Sequence, residues 1–340
     1  MNGVRERSAM REEVAEQPAV VAETVARLRE PADELAAAVR VRRLRGVLVL
    51  GRGTSANAAL YARYLLEARA GLRTALEAPS LRTAYNAPRG AADVLLLAFS
   101  QSGETPEVVD LVERAREGGL LTAAVTSVAD SPLARAAETP LVTAAGHERS
   151  IAATKSFTAQ LAAVATLAAA LGATELAAGL PTLGESVAAA IELGAAEVER
   201  AAPEFADAEV AACVARGFAL CAAHETALKL KEAAGIWAEG YSSADLRHGP
   251  IAAMAGRPAL LLTAGGALRR DLVELEGELL SRGARPVRFD LERLGAGSLP
   301  EELAPLPLVV PGQLLAERVA RLRGLDPDRP PGLSKVTRTR

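Results

Sequence analysis

Lysine is scarce in this sequence, which carries almost all of its positive charge as arginine. Of the 39 basic residues in the 340-residue chain, only four are lysine: Lys155, Lys229, Lys231 and Lys335. A solvent-exposed charge can be either residue. A proton carrier or an imine-forming amine can only be lysine, because arginine stays protonated at any accessible pH. The four lysine positions are therefore candidates for chemistry.

Aromatic residues, cysteines and clustered basic residues are also scarce. Only 3% of the residues are aromatic while 50% are hydrophobic, so the core must be built from Ala, Leu and Val. Two cysteines, Cys213 and Cys221, are too few for a disulfide framework and lack metal-ligating neighbours, which predicts buried thiols in a reducing compartment. The net charge of -3 comes without a cationic cluster, which argues against nucleic acid as a partner.

Neither a signal peptide nor a membrane span is indicated by the sequence. The N-terminal residues MNGVRERSAMREE carry charge where a signal peptide needs an apolar segment. The longest apolar run, residues 161–171, is too short and too rich in alanine to cross a bilayer, and it predicts a buried helix. We therefore expect a cytoplasmic protein with no membrane partner.

Short apolar runs alternate with helical patterns after a helical lead-in over residues 10–43, which we expect to be interrupted at Pro31. The runs GVLVL (46–50), DVLLLAF (93–99) and LLTAAVTS (120–127) are each followed by a polar segment, and helical patterns follow the first two. Strand, loop and helix repeated at this spacing predict an α/β fold with a parallel sheet flanked by helices.

The second half of the sequence repeats the first. EVAACVARGFALCAAHETALKLKE resembles GVLVLGRGTSANAALYARYLLE, which predicts a strand at 210–214, and PALLLTAGGALRRDLVELEGELLSRG resembles DVLLLAFSQSGETPEVVDLVERAREGG. Self-similarity at about half the chain length indicates a duplication. We therefore expect a lead-in (1–45), two tandem domains (46–195 and 196–324) and a C-terminal tail (325–340). The second repeat has TAGGA in place of the polar SQSGET.

Two hydroxyl-rich loops follow the first two predicted strands. In SQSGET (100–105), Thr105 can cap a helix that starts at Pro106, and a helix N-terminus attracts anions through its free N–H groups and its dipole. GTS (53–55) offers the same groups at the neighbouring strand end. Neither loop is a nucleotide signature, so together they predict a sugar-phosphate site. Either loop alone is more typical of ordinary helix capping than of a phosphate site.

Candidate proton-transfer groups lie in the second half. Glu225, Lys229 and Glu232 stand at i, i+4 and i+7 and so share one helix face, while Lys231 points elsewhere. His248 is followed by Gly249-Pro250, which predicts an imidazole on a loop. A carboxylate and an imidazole together can move protons near neutral pH. The structural alternatives are exposed ion pairs and a hydrogen-bonded loop histidine.

Several segments together resemble the sugar isomerase (SIS) family. SQSGET, SIAATKSFTAQL, ALKLKE, AEGYSSADLRHGP and DPDRPPGLSKVTRT are similar, in this order, to the isomerase region of glutamine–fructose-6-phosphate amidotransferase, over roughly residues 10–339. The resemblance implies two SIS domains, each a flavodoxin-like three-layer sandwich. The glutaminase domain of that enzyme has no counterpart, and we expect no room for one before Met10, as in SIS-type glucosamine-6-phosphate deaminases. Asp245, where the family has glutamate, and residues 78–85 depart from the pattern.

The resemblance implies a role for each matching residue. Glu232 would be the base that moves a proton between C1 and C2, with Lys229 assisting. His248 would open the sugar ring, reaching in from a neighbouring subunit, and Lys335 would form an imine with the open-chain ketose. Lys155 lies in a further family motif, and Lys231 is expected at the surface. The phosphate would be bound by Thr54, Ser55, Ser100, Gln101, Ser102 and Thr105.

These roles imply an enzyme that converts glucosamine 6-phosphate to fructose 6-phosphate and ammonia, without a metal or an organic cofactor. A deglycase acting on fructosamine phosphates and an ammonia-dependent synthase are open alternatives. A non-catalytic sugar-phosphate sensor is a third, although a sensor predicts loss of the catalytic groups, and Glu232, His248 and Lys335 are all present. We expect a homodimer whose partner molecule is a phosphorylated amino sugar.

Overall fold

Parallel strands form two separate sheets in this protein. The computed structural model describes residues 8–85, 87, 93–266 and 268–335, and in these ranges it has nine strands. The first sheet contains β1 (Gly46–Leu50), β2 (Arg73–Leu76), β3 (Val94–Phe99), β4 (Leu121–Thr126) and β5 (Thr139–Val142). The second sheet contains β6 (Val210–Ala215), β7 (Trp237–Ser242), β8 (Pro258–Thr263) and β9 (Arg285–Asp290).

Helices connect these strands. Those before the second sheet are α1 (Ala9–Val41), α2 (Thr54–Arg69), α3 (Ser80–Thr83), α4 (Pro106–Glu117), α5 (Pro132–Ala136), α6 (Lys155–Ala170), α7 (Thr174–Ala177) and α8 (Leu183–Ala206). Those that follow are α9 (Leu220–Ala234), α10 (Ser243–Arg247), α11 (Leu268–Ser281) and α12 (Pro305–Leu322). The prediction of an α/β fold with parallel sheets flanked by helices is confirmed. The three-layer, flavodoxin-like arrangement stays a prediction.

The order of strands is the same in the two sheets. The first runs β2-β1-β3-β4-β5 and the second β7-β6-β8-β9, so β1, β2, β3 and β4 correspond to β6, β7, β8 and β9. β5 is additional. All neighbouring pairs are parallel, so crossover connections must join them. The shared order agrees with the internal repeat read from the sequence.

Small aliphatic side chains fill the core of each sheet, as the shortage of aromatic residues requires. In the first sheet, Val108, Leu111 and Val112 of α4 contact Leu96 and Ala98 of β3. In the second, Leu272, Leu275 and Leu279 of α11 occupy the same core as Val214 and Leu261. β3 is buried on both faces from Leu95 to Phe99, which is why its sequence shows no alternation of polar and apolar residues.

The described residues divide into two compact units. The N-terminal unit comprises residues 19–147 and 156–181 and contains the first sheet. The C-terminal unit comprises residues 8–18, 148–155 and 182–335 and contains the second. The start of α1 and the short segment 148–155 thus belong to the C-terminal unit, which the sequence did not indicate. Whether residues 46–195 and 196–324 act as separate domains stays a prediction.

The predicted interruption of the lead-in helix is wrong. α1 runs through Pro31 without a break, because Leu28, Ala32 and Leu35 around it are buried and their packing outweighs the one hydrogen bond that proline removes. The prediction of a buried helix over residues 161–171 is confirmed by α6. One described stretch, Thr174–Ala206, is long and apolar enough to cross a membrane. Within it, α8 packs along α12, as a core helix does.

Candidate active site

The loop Ser100–Thr105 lies at the carboxyl end of β3 and leads into α4, as predicted. Thr105 is the N-cap residue and Pro106 opens the helix. The hydroxyl of Thr105 makes no capping bond. It lies 3.3 Å from Ser100 Oγ, which also accepts a hydrogen bond from the Gly103 N–H at 3.2 Å. Gly103 has a φ of +66°, and a Cβ there would fall 2.2 Å from Ser131 Oγ, so only glycine fits.

The second predicted loop lies beside the first, because β1 pairs with β3 in parallel register. Thr54 opens α2. The buried hydroxyl of Ser55 accepts a hydrogen bond from Gln160 Nε2 on α6 at 3.1 Å. Arg52, between the two glycines, donates to Glu107 Oε2 on α4 through Nη2 at 2.7 Å and Nε at 3.0 Å.

The structure therefore brings both predicted loops together at one sheet edge and ties them through the Arg52–Glu107 pair. Their hydroxyls lie where ligands bind parallel α/β sheets. Arg52, Glu107 and Gln160 were missed by the sequence reasoning. Nothing distinguishes Arg52 from the other arginines of the sequence, and a buried glutamine on an apolar helix is the only signal that Gln160 offered.

The equivalent edge of the second sheet carries acidic side chains of the protein. Arg216 follows β6 as Arg52 follows β1, and it binds the carboxylate of Asp271 in the first turn of α11 at 3.1 Å. Hydrogen bonds from Ser243, Arg216 and Arg247 outweigh burial and lower the pKa of Asp271. A Cβ on Gly266 would lie 2.7 Å from Glu301 Oε2, so a carboxylate of the chain occupies this loop.

A chain of buried ions runs along α9 in the C-terminal unit. Lys229 Nζ lies 3.3 Å from Glu225 Oε1 and 2.5 Å from Glu232 Oε2. The side chains of Lys229 and Glu225 are fully buried, while that of Glu232 is 25% exposed. The shared face predicted for these three residues is confirmed. The alternative of exposed ion pairs is wrong, because burial has removed the pair from water.

The charge state of Lys229 follows from its neighbours. Burial by itself would lower the pKa of this lysine, but the carboxylates of Glu225 and Glu232 outweigh it and raise the pKa above its usual value. Glu148 adds to the same effect. Lys229 is therefore a fixed positive charge at neutral pH.

Lys335 of the C-terminal tail reaches the same set of ions through Glu148. Its Nζ lies 3.2 Å from Glu148 Oε2 and 2.5 Å from the carbonyl oxygen of Ser150. Glu148 is buried and accepts a further bond from the Thr154 N–H at 2.8 Å. Two of the four lysines thus share one set of carboxylates, and Glu148 is a member that the sequence reasoning missed.

Lys155 is bound to the first turns of α1. Its Nζ lies 2.6 Å from Glu16 Oε2. Glu13, one turn earlier, is fully buried and accepts hydrogen bonds from the backbone N–H groups of Arg149 and Ser150. Burial raises the pKa of Glu13, and the charge of Glu148 adds to that rise. The burial of Glu13 could have been predicted from the sequence, because the helical period puts this residue on the same face as Met10 and Val14, which are buried.

His248 and Lys231 lie apart from these contacts. His248 is exposed at the C-terminus of α10, and within the described ranges its imidazole has no hydrogen bond or ion pair. The loop position predicted for it is confirmed, and its role stays a prediction. Lys231 points away from Lys229, as predicted, and lies 5.8 Å from the ring of Trp237. Among the described residues, no three His, Cys, Asp or Glu side chains form a group that could hold a metal ion.

This chain is similar in sequence and in structure to known proteins. The SIS domain family model matches residues 42–170. A glutamine–fructose-6-phosphate aminotransferase (isomerizing) from Zymomonas mobilis is 33% identical over 96% of this chain, which spans 58% of that relative's length. A crystal structure described as a phosphosugar isomerase, from Silicibacter pomeroyi, superposes with a TM-score of 0.84 at 31% identity and covers 95% of this chain and 100% of its own. The C-terminal domain of a glucosamine-fructose-6-phosphate aminotransferase from Francisella tularensis superposes with a TM-score of 0.82 at 27% identity. The superposition covers 97% of this chain and 99% of that domain.

Proposed function

This chain belongs to the SIS (sugar isomerase) family, in the sugar-phosphate isomerase class of enzymes, and we propose that it converts glucosamine 6-phosphate and water to fructose 6-phosphate and ammonia. The observation that carries the proposal is the pair formed by Glu232, a partly exposed carboxylate, and Lys229, a buried cation. The names of two of the relatives join fructose 6-phosphate to amino transfer, which is the same sugar chemistry.

Glu232 is the proposed proton carrier of the reaction. In the open-chain substrate it takes the proton from C2 while O1 gains a proton from water, which leaves an enolamine. It then returns its proton to C1 while the amine nitrogen gives one proton to water, which gives an imine at C2. Water then adds to that imine and ammonia leaves, so atoms and charges balance. A carboxylate within reach of the substrate can act as a general base. Lys229, whose pKa is raised, supports this step as a charge and not as a carrier.

Lys335 is the proposed amine for imine formation with the ketose. An amine must be neutral to attack carbon, and Glu148, 3.2 Å from Nζ, is placed to take its proton. His248 is proposed to open the sugar ring, and its exposure leaves both ring nitrogens free to exchange protons with water.

The hydroxyl loops of the N-terminal unit are the proposed phosphate site. Their donors come from two loops at one sheet edge, and α4 directs the positive end of its dipole to the same place. The proposed phosphate ligands are Thr54, Ser55, Ser100, Gln101, Ser102 and Thr105. The homodimer and the cytoplasmic location stay predictions.

Both cysteines are buried. Cys213 and Cys221 are the only cysteines of the 340 residues, and burial raises the pKa of each thiol. A buried thiol of high pKa is a poor nucleophile. Neither thiol is therefore part of the proposed reaction.

The test is incubation with glucosamine 6-phosphate, with ammonia and fructose 6-phosphate measured in parallel. We expect equal amounts of both. Glu232→Gln should abolish turnover while the enzyme still binds the substrate, and Glu239→Gln, the same change on an exposed carboxylate of β7, should leave turnover intact. Retained turnover in Glu232→Gln would remove this residue as the base.

The remaining functions are separate outcomes of the same assay. Turnover of a fructosamine phosphate without ammonia release from glucosamine 6-phosphate would identify a deglycase. Formation of glucosamine 6-phosphate from fructose 6-phosphate and ammonia as the dominant direction would identify a synthase. Binding of the sugar phosphate without any turnover would identify a sensor.

Ser102→Ala tests the phosphate site by itself. Loss of one hydroxyl donor to a charged phosphate should raise KM about tenfold, with kcat changed much less. Ser281→Ala, on the exposed end of α11, is the matched control and should leave KM unchanged. An unchanged KM in Ser102→Ala would contradict a phosphate at this loop.

A further inference from the structure

Asp328, in the C-terminal tail, completes the N-terminus of α1. Its Oδ2 accepts a hydrogen bond from the Ala9 N–H and its Oδ1 one from the Met10 N–H, both at 2.8 Å. The next two N–H groups, of Arg11 and Glu12, bond to the side chain and the carbonyl of Ser8. All four first-turn N–H groups of α1 are therefore satisfied, two of them by a residue more than 300 positions away. A carboxylate at this end also meets the positive pole of the helix dipole.

The backbone of Asp328 holds the segment that carries Glu148. Its carbonyl oxygen accepts a hydrogen bond from the Ile151 N–H at 3.1 Å. The preceding residues of that segment, Arg149 and Ser150, donate to Glu13 on the second turn of α1. The start of α1, the segment 148–155 and the tail are thus joined at one place, and every contact lies within the C-terminal unit.

Only six residues separate Asp328 from Lys335, and their conformation is restrained. The Asp328 N–H bonds to Asp326 Oδ1 at 2.9 Å, which fixes a turn before it. Pro330 and Pro331 follow, and the Leu333 N–H bonds to the carbonyl of Pro330. A short, proline-stiffened tether with one fixed end keeps its other end at a high local concentration.

We propose that Asp328 is a positioning residue, which caps α1 in order to hold the tail where Lys335 meets Glu148 and the carbonyl of Ser150. Without this carboxylate the tail keeps the hydrogen bond from the Ile151 N–H to the Asp328 carbonyl but loses its two bonds to α1, and the amine spends less time at Glu148. The structural part of the inference stands on the contacts above. Its consequence for turnover rests on the proposed function.

The scarcity of lysine supplies a selective probe. An endoproteinase specific for lysine can cut at four positions, and Lys155 and Lys229 are buried. Cleavage after Lys335 releases residues 336–340 and requires Lys335 to leave its partners. In Asp328→Ala we expect this cleavage to be at least about tenfold faster, the ratio that corresponds to the loss of one hydrogen bond to a charged group. Intact-mass spectrometry measures the product.

Ser8→Ala is the control at the same helix end. It removes the hydroxyl that accepts from the Arg11 N–H and donates to Glu317 of α12, and neither of these partners belongs to the tail. We expect a lower Tm in both variants and accelerated cleavage only in Asp328→Ala. Asp328→Asn keeps one acceptor oxygen and should lie between wild type and Asp328→Ala. Equal cleavage in Asp328→Ala and wild type, or equal acceleration in Ser8→Ala, would overturn the proposal whether or not the protein turns over an amino sugar.

Kinetics give the second readout. Asp328→Ala should lower kcat with little change in KM, and it should have no further effect on kcat in a Lys335→Ala background, since the aspartate acts through the lysine. Additive losses would mean that Asp328 acts elsewhere. If no amino-sugar phosphate is turned over at all, the proposed function fails, and the protease result still decides the position of the tail.

Discussion

Removing the buried cation of α9 is the sharpest perturbation that this structure offers. Lys229→Met keeps the length and helix propensity of the side chain and deletes its charge. The carboxylate of Glu225, fully buried and 3.3 Å away, then loses its ion pair with this cation. Lys231→Met, two residues further on, is the matched control, because Lys231 and its partner Glu239 are 31% and 47% exposed.

The magnitude follows from the distances. At an effective dielectric constant of about 20, two unit charges 3.3 Å apart attract by about 5 kcal/mol. Breaking a buried ion pair by removing one partner costs about 3–5 kcal/mol, while an exposed pair contributes under about 1 kcal/mol. Lys229→Met should therefore lower the free energy of unfolding by several kcal/mol, and Lys231→Met by less than about 1 kcal/mol.

Urea unfolding at pH 7, followed by circular dichroism, measures both losses. The double variant Lys229→Met/Glu225→Gln should recover part of the stability, since it no longer buries a carboxylate beside a missing cation. A loss in Lys229→Met no larger than that in Lys231→Met would refute the reasoning, because it would mean that Glu225 gains nothing from this ion pair.

Two further predictions concern positions that the fold constrains. Gly312→Ala places a Cβ 2.2 Å from Thr226 Oγ1, where α12 crosses α9. The free energy of unfolding should therefore fall by about 1–3 kcal/mol, with a lower urea midpoint, although alanine favours helix. Thr226→Ala should restore part of this loss. An unchanged midpoint would mean that the helices separate freely. Burial raises the pKa of Glu13 above 4.5 in the folded protein, so this residue stabilises the fold below pH 4.5. That contribution disappears as the pH rises through the pKa that Glu13 has in the folded protein. The stability of wild type relative to Glu13→Gln should thus fall between pH 4.5 and neutrality in urea titrations. A rise would reverse the assigned direction.

Local pattern was enough for the elements whose residues interact with near neighbours. The buried strands β1, β3, β4, β6 and β8 carry short apolar runs, and Pro106 after Thr105 predicts the start of α4. The spacing of Glu225, Lys229 and Glu232 fixes a common helix face, because the helix period acts within one element. The edge strand β2 escaped prediction, because RTAL has a single buried residue and is too short to show a period.

The residues that complete the candidate site could not be found in this way, because their partners are remote in sequence. Glu148 becomes a partner of Lys335 through a contact that spans 187 positions, and Asp328 reaches α1 across 318. Nothing near a surface aspartate in a proline-rich tail distinguishes it from a solvated charge. The sequence determined the individual buried strands, the hydroxyl-rich loops and the helix that carries Glu225, Lys229 and Glu232, since these depend on short-range geometry. Tertiary structure alone decided which carboxylates are buried and which lysines they bind, since burial and long-range pairing exist only once the segments meet.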